Sequence, residues 1–289
     1  MKKNILITGS TGFVGSNILN QLLKKNIHIY DVLREKNKNK RIIHKLKSNK
    51  NYHPIFYKKF NELETKIKKI KIDTVINCAT YYSNKNDLKT IQNLIQTNII
   101  FCSIILEIVK NKINKFINFG SMMEYSDSND FSPQNFYAIT KYSFQKIEEF
   151  YKSNNKKIKF YDLKLYETYG NKDRRKKIIP IIINNYLKNK YIKIVTKNLK
   201  INFVNVESIT NAVNMIIFKN IKEGEYCMKN NKITKIKELI DSLNKKLKRK
   251  IKVKYLSSDK FSIFNKKFKK FPNWDDKTNL EEFLLSKLL

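Results

Sequence analysis

A serine, a tyrosine and a lysine stand in this chain at spacings that suit chemistry on a carbonyl group. Ser121 ends the run Lys115-Phe116-Ile117-Asn118-Phe119-Gly120, and sixteen residues later Tyr137-Ala138-Ile139-Thr140-Lys141 opens an amphipathic stretch. Four residues apart on a helix, Tyr137 and Lys141 share one face. The tyrosine hydroxyl would protonate a carbonyl oxygen, while the neighbouring ammonium draws its pKa down from about 10 by stabilising phenolate. Ser121 would hold the same oxygen by a hydrogen bond. The pattern Y-x-x-x-K recurs by chance in many helices, so its weight here comes from what precedes it.

Near the N-terminus the apolar run Asn4-Ile5-Leu6-Ile7-Thr8 leads directly into Gly9-Ser10-Thr11-Gly12-Phe13-Val14-Gly15. Three of the chain's six glycines lie in that segment, spaced G-x-x-G-x-x-G. At a strand-to-helix turn this spacing cradles a dinucleotide: Gly9 permits the tight turn, Gly12 lets backbone approach a pyrophosphate, and Gly15 packs the helix on the strand. The end of the second strand then selects the cofactor. Counting eighteen residues from Gly15, the place of the usual ribose-binding acid is held by Leu33, and Arg34 follows. Leucine accepts no hydrogen bond from a ribose hydroxyl, whereas a guanidinium grips a phosphate through paired donors, which predicts NADPH (NADP) over NAD. Asp31 is the competing residue, but alternation along Ile27, Ile29 and Val32 sets it earlier in the strand than a ribose acid requires.

Short apolar runs alternating with amphipathic ones must position these groups. Strands are expected near 4–8, 27–33, 53–57, 72–78, 115–120 and 159–165, with helices near 14–25, 38–49, 61–70, 87–111 and 137–153. That is an α/β Rossmann fold, a doubly wound parallel sheet. Beyond residue 170 a helix is expected near 178–189, strands near 191–196 and 201–206, a helix over 207–219, a strand near 225–229, a helix from Thr234 and a strand at 251–255. Thr278 and Glu281 read as the capping box of a last helix. The division is a dinucleotide-binding domain over 1–170, to which 201–220 returns, and a smaller substrate lobe over 171–289. Helix 87–111 carries more apolar residues than one packing stripe uses, so it either pairs with a second copy in a homodimer or is wholly buried.

Composition limits the alternatives. The formal charge is +35, from 60 Lys and Arg against 25 Asp and Glu, and the lysines are spread along the whole chain beside Asn and Ile. This reads as solvated lysine faces that attract an anionic substrate rather than as a nucleic-acid surface. Cys78, Cys102 and Cys227 lie far apart and form no C-x-x-C pair, and His28, His44 and His53 have no metal-ligand spacing, so no metal is expected. No signal segment follows Met1-Lys2-Lys3, and no stretch is expected to reach the ~18 apolar residues of a membrane span. A cytoplasmic protein without a membrane partner is the expectation.

With the glycine turn, Phe119-Gly120-Ser121 and the Tyr137–Lys141 pair together, the chain resembles the extended short-chain dehydrogenase/reductases, also called the NAD-dependent epimerase/dehydratase family. Further matching stretches are Asn77-Cys78-Ala79-Thr80, Asn98, Leu165 to Gly170, Ile179-Pro180 and Phe203-Val204-Asn205-Val206-Glu207. Within the family the likeness is nearest to the 4-keto-sugar reductases of the CDP-abequose synthase type. The resemblance implies that Ala79 and Thr80 join the cofactor site, and that Met122, Met123, Glu124, Tyr166, Ile179 and Lys200 line the substrate pocket. The family's 4,6-dehydratases carry Asp-Glu where Met122 and Met123 stand, and its GDP-fucose synthases use a Cys at Met123 and a His near Lys177. Methionine transfers no proton, which points to simple reduction of a nucleotide-diphospho-4-keto-6-deoxy sugar by NADPH. An NAD-dependent 4-epimerase is the nearest rival. A non-catalytic dinucleotide-binding regulator or nucleic-acid scaffold is the rival of another class.

Overall fold

The computed structural model describes residues 2–37, 46, 48–125, 130–257 and 269–289. Strands β1 (Asn4–Thr8), β2 (His28–Arg34), β3 (Tyr52–Tyr57), β4 (Thr74–Asn77), β5 (Lys115–Ser121), β6 (Lys159–Leu165) and β10 (Gly224–Met228) form one seven-stranded sheet. Its order is β10-β6-β5-β4-β1-β2-β3, and every neighbouring pair is parallel. The central residues of β1, Ile5–Ile7, and of β4, Val75 and Ile76, are apolar and buried because helices cover both faces of the sheet. This Rossmann-like α/β architecture is the expected one.

On one face, α1 (Phe13–Leu22) and α6 (Val206–Phe218) bury Ile18, Leu19, Leu22, Ile209, Val213 and Ile216 against the sheet. The other face is covered by α2 (Asn61–Lys68), α3 (Leu88–Val109) and α4 (Phe136–Asn154), through Leu63, Ile67, Phe101, Ile105 and Phe144. Asp87 caps α3 by accepting the Thr90 N–H at 2.9 Å, and Asn135 caps α4 by accepting that of Ala138 at 3.0 Å. The expected helix at 38–49 falls mostly outside the described residues.

Two small sheets build the second lobe. The first joins β9 (Lys200–Asn205) to β7 (Glu167–Tyr169) and to β11 (Ile233–Lys235), and the second joins β8 (Ile192–Thr196) to β12 (Val253–Ser257). Their core includes Ile179, Ile182, Ile240, Leu243 and Leu284 from α5 (Ile178–Leu187), α7 (Ile236–Lys246) and α8 (Leu280–Leu288). Strands β7 and β11, three residues each, are too short to leave an alternation in sequence.

Three expectations are corrected. Strand β10, assigned by its position to the substrate lobe, pairs with β6 as the edge of the large sheet. The last helix is capped by Asn279, which accepts the N–H of Glu281 at 3.0 Å, while Thr278 bonds to Asp276 and Tyr169 instead of forming the capping box. Helix α3, 22 residues long, is apolar enough by length and composition to cross a membrane. Here one of its faces is core, with Leu94, Cys102, Leu106 and Val109 buried, while Leu88 is 82% and Ile100 39% exposed.

A buried charge cluster anchors the C-terminal end of β5. The Lys164 side chain is fully buried, with Nζ 2.5 Å from Glu124 Oε2, 2.8 Å from Gln145 Oε1 and 2.9 Å from Asp162 Oδ2. Burial works against the ammonium, but Asp162 and Glu124 more than offset it and hold its pKa well above the usual lysine range. Gly120 makes the room: a Cβ there would lie 2.5 Å from Lys164 Cδ. Lys164→Met would strand two buried carboxylates, so urea denaturation at neutral pH should show a loss of about 3–5 kcal/mol. That loss should shrink under acidic conditions, where the carboxylates take up protons; a deficit independent of pH would contradict this account.

Candidate active site

In an open parallel sheet, ligands sit beyond the carboxyl ends of the strands where the strand order reverses. That point lies here between β1 and β4. Gly9 follows β1 with φ +68°, and a Cβ there would lie 2.4 Å from the Cys78 carbonyl group, so only glycine allows the turn to close on β4. A Cβ at Gly15 would come 2.3 Å from Gly9 O, which ties the first turn of α1 to the same glycine. Gly12 is the N-cap of α1 and offers no side-chain acceptor, leaving the helix N-terminus to an anion.

This turn opens into a cavity of about 910 Å³ lined by Gly9, Thr11, Gly12, Phe13, Val14 and Gly15 at one end. Ala79, Thr80, Ser121, Tyr137 and Lys141 line its middle, and Met122, Met123, Tyr166 and Lys200 line it further on. Residues distant in sequence are thus brought to one wall, with Ser121 ending β5 and Tyr137 in the first turn of α4. Lys141, one turn along, is 3% exposed.

Hydrogen bonds behind the wall fix it. The Ser121 N–H donates to Glu124 Oε1 at 2.7 Å, while Ser121 Oγ accepts the Met123 N–H at 3.2 Å. Asn98 sits in the π-helical turn of α3, Gln96–Phe101, and is wholly buried. Its Oδ1 accepts from Thr80 Oγ1 at 3.2 Å and from the Tyr81 N–H at 2.8 Å, and its Nδ2 donates to Thr140 Oγ1 at 2.9 Å. The widened turn lets one amide bind the β4 loop to α4 beside Tyr137.

Residues 5–258 match the NAD dependent epimerase/dehydratase family. The chain belongs to that family. CDP-abequose synthase of Yersinia pseudotuberculosis is 30% identical to it over 224 residues, 77% of this chain and 75% of that protein. CDP-abequose synthase of Salmonella typhimurium is 26% identical over 230 residues, 77% of this chain and 72% of that one. Among solved structures, UDP-glucuronic acid 4-epimerase from Bacillus cereus, in complex with UDP-glucuronic acid and NAD, superposes with a TM-score of 0.83. It is 20% identical and is covered to 98%, against 99% of this chain, which is a likeness of fold.

Four residues expected at the site of this family member do not line the cavity. Ser10 turns inward, its Oγ donating to Asp31 Oδ2 at 2.7 Å. Arg34 ends β2 with Nη2 donating to Thr97 Oγ1 at 2.9 Å, away from the cavity wall. Glu124 is wholly buried because it neutralises Lys164, and Ile179, 2% exposed, packs into the core of the second lobe. Burial raises the Tyr137 phenol above its ordinary pKa, and Lys141 and a hydrogen bond with Thr80 only partly oppose this.

Sequence reasoning gave Glu167 no role and weighed Asp31 only as a competing ribose ligand. Tyr82 lines the cavity and meets the Tyr137 ring edge-on, with centroids 4.9 Å apart. Asp31 is wholly buried beneath the glycine turn, taking hydrogen bonds of 2.7 Å from both Ser10 and Tyr52. Its alternation with Ile29 had placed it early in the strand, but burial of a carboxylate leaves no periodic trace.

Burial lifts the Asp31 carboxyl from 3.8 to about 6. A raised folded-state pKa means that ionisation opposes folding: the penalty is absent below pH 3.8, grows toward pH 6 and is constant above it. Two pKa units correspond to on the order of 3 kcal/mol. Asp31→Asn keeps an oxygen for both hydroxyls, so it should melt about 5 °C above the parent at alkaline pH and converge with it near pH 4. A gap of the same size at both pH values would overturn the assignment.

Proposed function

We propose that this chain is an NADPH-dependent reductase of a nucleotide-diphospho-4-keto-6-deoxy sugar, cytoplasmic and homodimeric, in the synthesis of a surface polysaccharide. The observation that carries this reading is the single cavity that runs from the glycine turn past Ser121, Tyr137 and Lys141 to Lys176, Lys177 and Lys200. One end fits a dinucleotide, since the α1 N-terminus is uncapped and backbone closes around Gly9. The far end is cationic and suits the diphosphate of a sugar nucleotide. The relatives include CDP-abequose synthases and a dTDP-D-glucose 4,6-dehydratase, and that supports the sugar-nucleotide class.

When bound, NADPH supplies the hydride. Ser121 Oγ and the Tyr137 hydroxyl hold the keto oxygen, and Tyr137 yields its proton as that oxygen becomes an alcohol. Lys141, buried one turn away, supports the phenolate that remains. Met122 and Met123 fill the wall where elimination would require an acid and a base, so the carbonyl is reduced without loss of water. NADPH is preferred because Leu33, next to last in β2, is apolar and buried and Asp31 is committed to Ser10 and Tyr52, leaving Arg34 to meet a 2′-phosphate with the donors Thr97 does not use. The exposed apolar residues Leu88 and Ile100 on α3 and Ile139 and Phe150 on α4 support pairing of two copies.

A 4-epimerase is the second reading, favoured by the NAD-bound 4-epimerase of like fold and by the Thr97 bond that holds Arg34. The two are separated by incubating the protein with NADPH and CDP-, dTDP-, GDP- and UDP-4-keto-6-deoxy sugars under mass detection. A product two mass units heavier, with stoichiometric NADPH oxidation, is the expected result; tightly retained NAD with interconversion of 4-hydroxy epimers would replace this proposal by the rival.

Two variants test the residue roles. Tyr137→Phe should lower kcat at least about a hundredfold while NADPH affinity stays within about threefold, and undiminished turnover would refute the assigned acid. Arg34→Leu should raise KM for NADPH about 10–100-fold and leave that for NADH nearly unchanged, as measured by steady-state kinetics with each cofactor. Equal effects on both cofactors would remove Arg34 from the phosphate site.

A further inference from the structure

The reduction described above gives no role to Glu167 or to its pairing with Lys177. Glu167, in β7, and Lys177, at the N-cap of α5, both line the cavity and pair at 3.1 Å between Oε2 and Nζ. Their side chains are 21% and 22% exposed, so the pair is mostly desolvated. Lys177 Nζ also lies over the Tyr82 ring, 4.6 Å from its centroid, and Tyr82 in turn abuts Tyr137. The pair therefore stands one aromatic ring away from the group that protonates the carbonyl.

Glu167 is half satisfied. Its Oε2 takes the lysine, whereas Oε1 is buried and has no hydrogen-bond partner among the described residues. Leaving a charged acceptor buried without a donor is costly, and a cavity that tolerates such an atom is complete only when a ligand brings the donor. An ionised carboxylate accepts and never donates, which excludes a carbonyl or phosphate oxygen as the group that meets it. A pyranose ring carries hydroxyl donors. Lys177 orients the carboxylate; burial opposes the lysine's charge, but Glu167 with Tyr82 holds its pKa above the ordinary value, so Lys177 serves as a fixed cation and not as a base.

We propose that Glu167 is a specificity-determining residue that accepts a hydrogen bond from one ring hydroxyl of the sugar, with Lys177 as its positioning residue. This assignment rests on the sugar-nucleotide reading above and adds to it the group that is recognised. It explains why a carboxylate is present in a pocket built to attract anions: the lysine cancels its charge toward the diphosphate while leaving one oxygen to read the ring.

The test is a binding measurement that needs no turnover. Calorimetry with the NADP-saturated protein compares CDP-6-deoxyglucose with its 2-deoxy and 3-deoxy analogues, for the parent and for Glu167→Gln. In the parent, removing one of the two hydroxyls should weaken binding about 10–100-fold, and in Glu167→Gln that discrimination should fall to within about threefold, with NADP affinity retained. Lys177→Met should reduce the same discrimination, and Glu167→Ala serves as the second variant should the Gln protein fail to hold NADP. Unchanged discrimination in a variant that still binds NADP overturns the role of Glu167 alone. If the parent binds none of the three sugar nucleotides while holding NADP, the sugar-nucleotide reading falls together with it.

Discussion

Lys164 is an ammonium shut away from the surface under the last residues of β5, and the geometry of the wall that carries Ser121 depends on it. Such a charge is tolerable only when carboxylates surround it and their remaining oxygens find donors. Glu124 meets both conditions, taking the ammonium with one oxygen and the Ser121 N–H with the other. The serine is thereby fixed through its backbone, leaving its hydroxyl to the cavity side. Gly120 belongs to the same arrangement, since any side chain there would occupy the path of the lysine.

A second buried network extends the constraint across the sheet. The Ala79 N–H donates to Thr8 Oγ1, which donates to Asn77 Oδ1 at 2.8 Å; Asn77 Nδ2 donates to Asn118 Oδ1, and Asn118 Nδ2 to Glu148 Oε2 at 3.0 Å. Side chains of β1, β4, β5 and α4 are thus linked beneath the point where the strand order reverses. Burial lifts the Glu148 carboxyl well above its ordinary range, in keeping with a site where charge is tolerated only beside an ammonium. Polar networks of this kind specify one arrangement of strand ends more sharply than apolar packing does, because a slip of register leaves several groups unpaired. The mouth of the cavity can therefore be cationic and loosely packed while its wall stays rigid.

Much of this was readable from residue order. Strand β1 and the glycine turn follow from an apolar run broken by three spaced glycines, and Tyr137 with Lys141 follows from helical periodicity. These are local patterns, set by the few residues on either side. Ser10, Glu124 and Ile179 lie off the cavity wall for a shared reason: each lies within a motif that touches the cavity, yet side-chain direction is decided by a partner far along the chain, namely Asp31, Lys164 and the α5–α8 core. The same holds for β10, whose residues read as a strand but whose place in the large sheet depends on pairing with β6, about sixty residues earlier. Strand pairing and buried ion pairs are long-range facts, and spacing does not encode them.

The ordering of charges along the cavity bears on which chemistry the site supports. Elimination or epimerisation at a carbon beside the carbonyl requires a base there that is free to accept a proton. Met122 and Met123 provide none, and Lys177, one of the ionisable groups at the far end, is held protonated by Glu167. Tyr137, raised by burial, favours its neutral form until positive charge is brought beside it, so it begins as a proton donor. An acid poised in this way next to a wall without a base suits transfer of a proton to an oxygen receiving hydride and does not suit elimination.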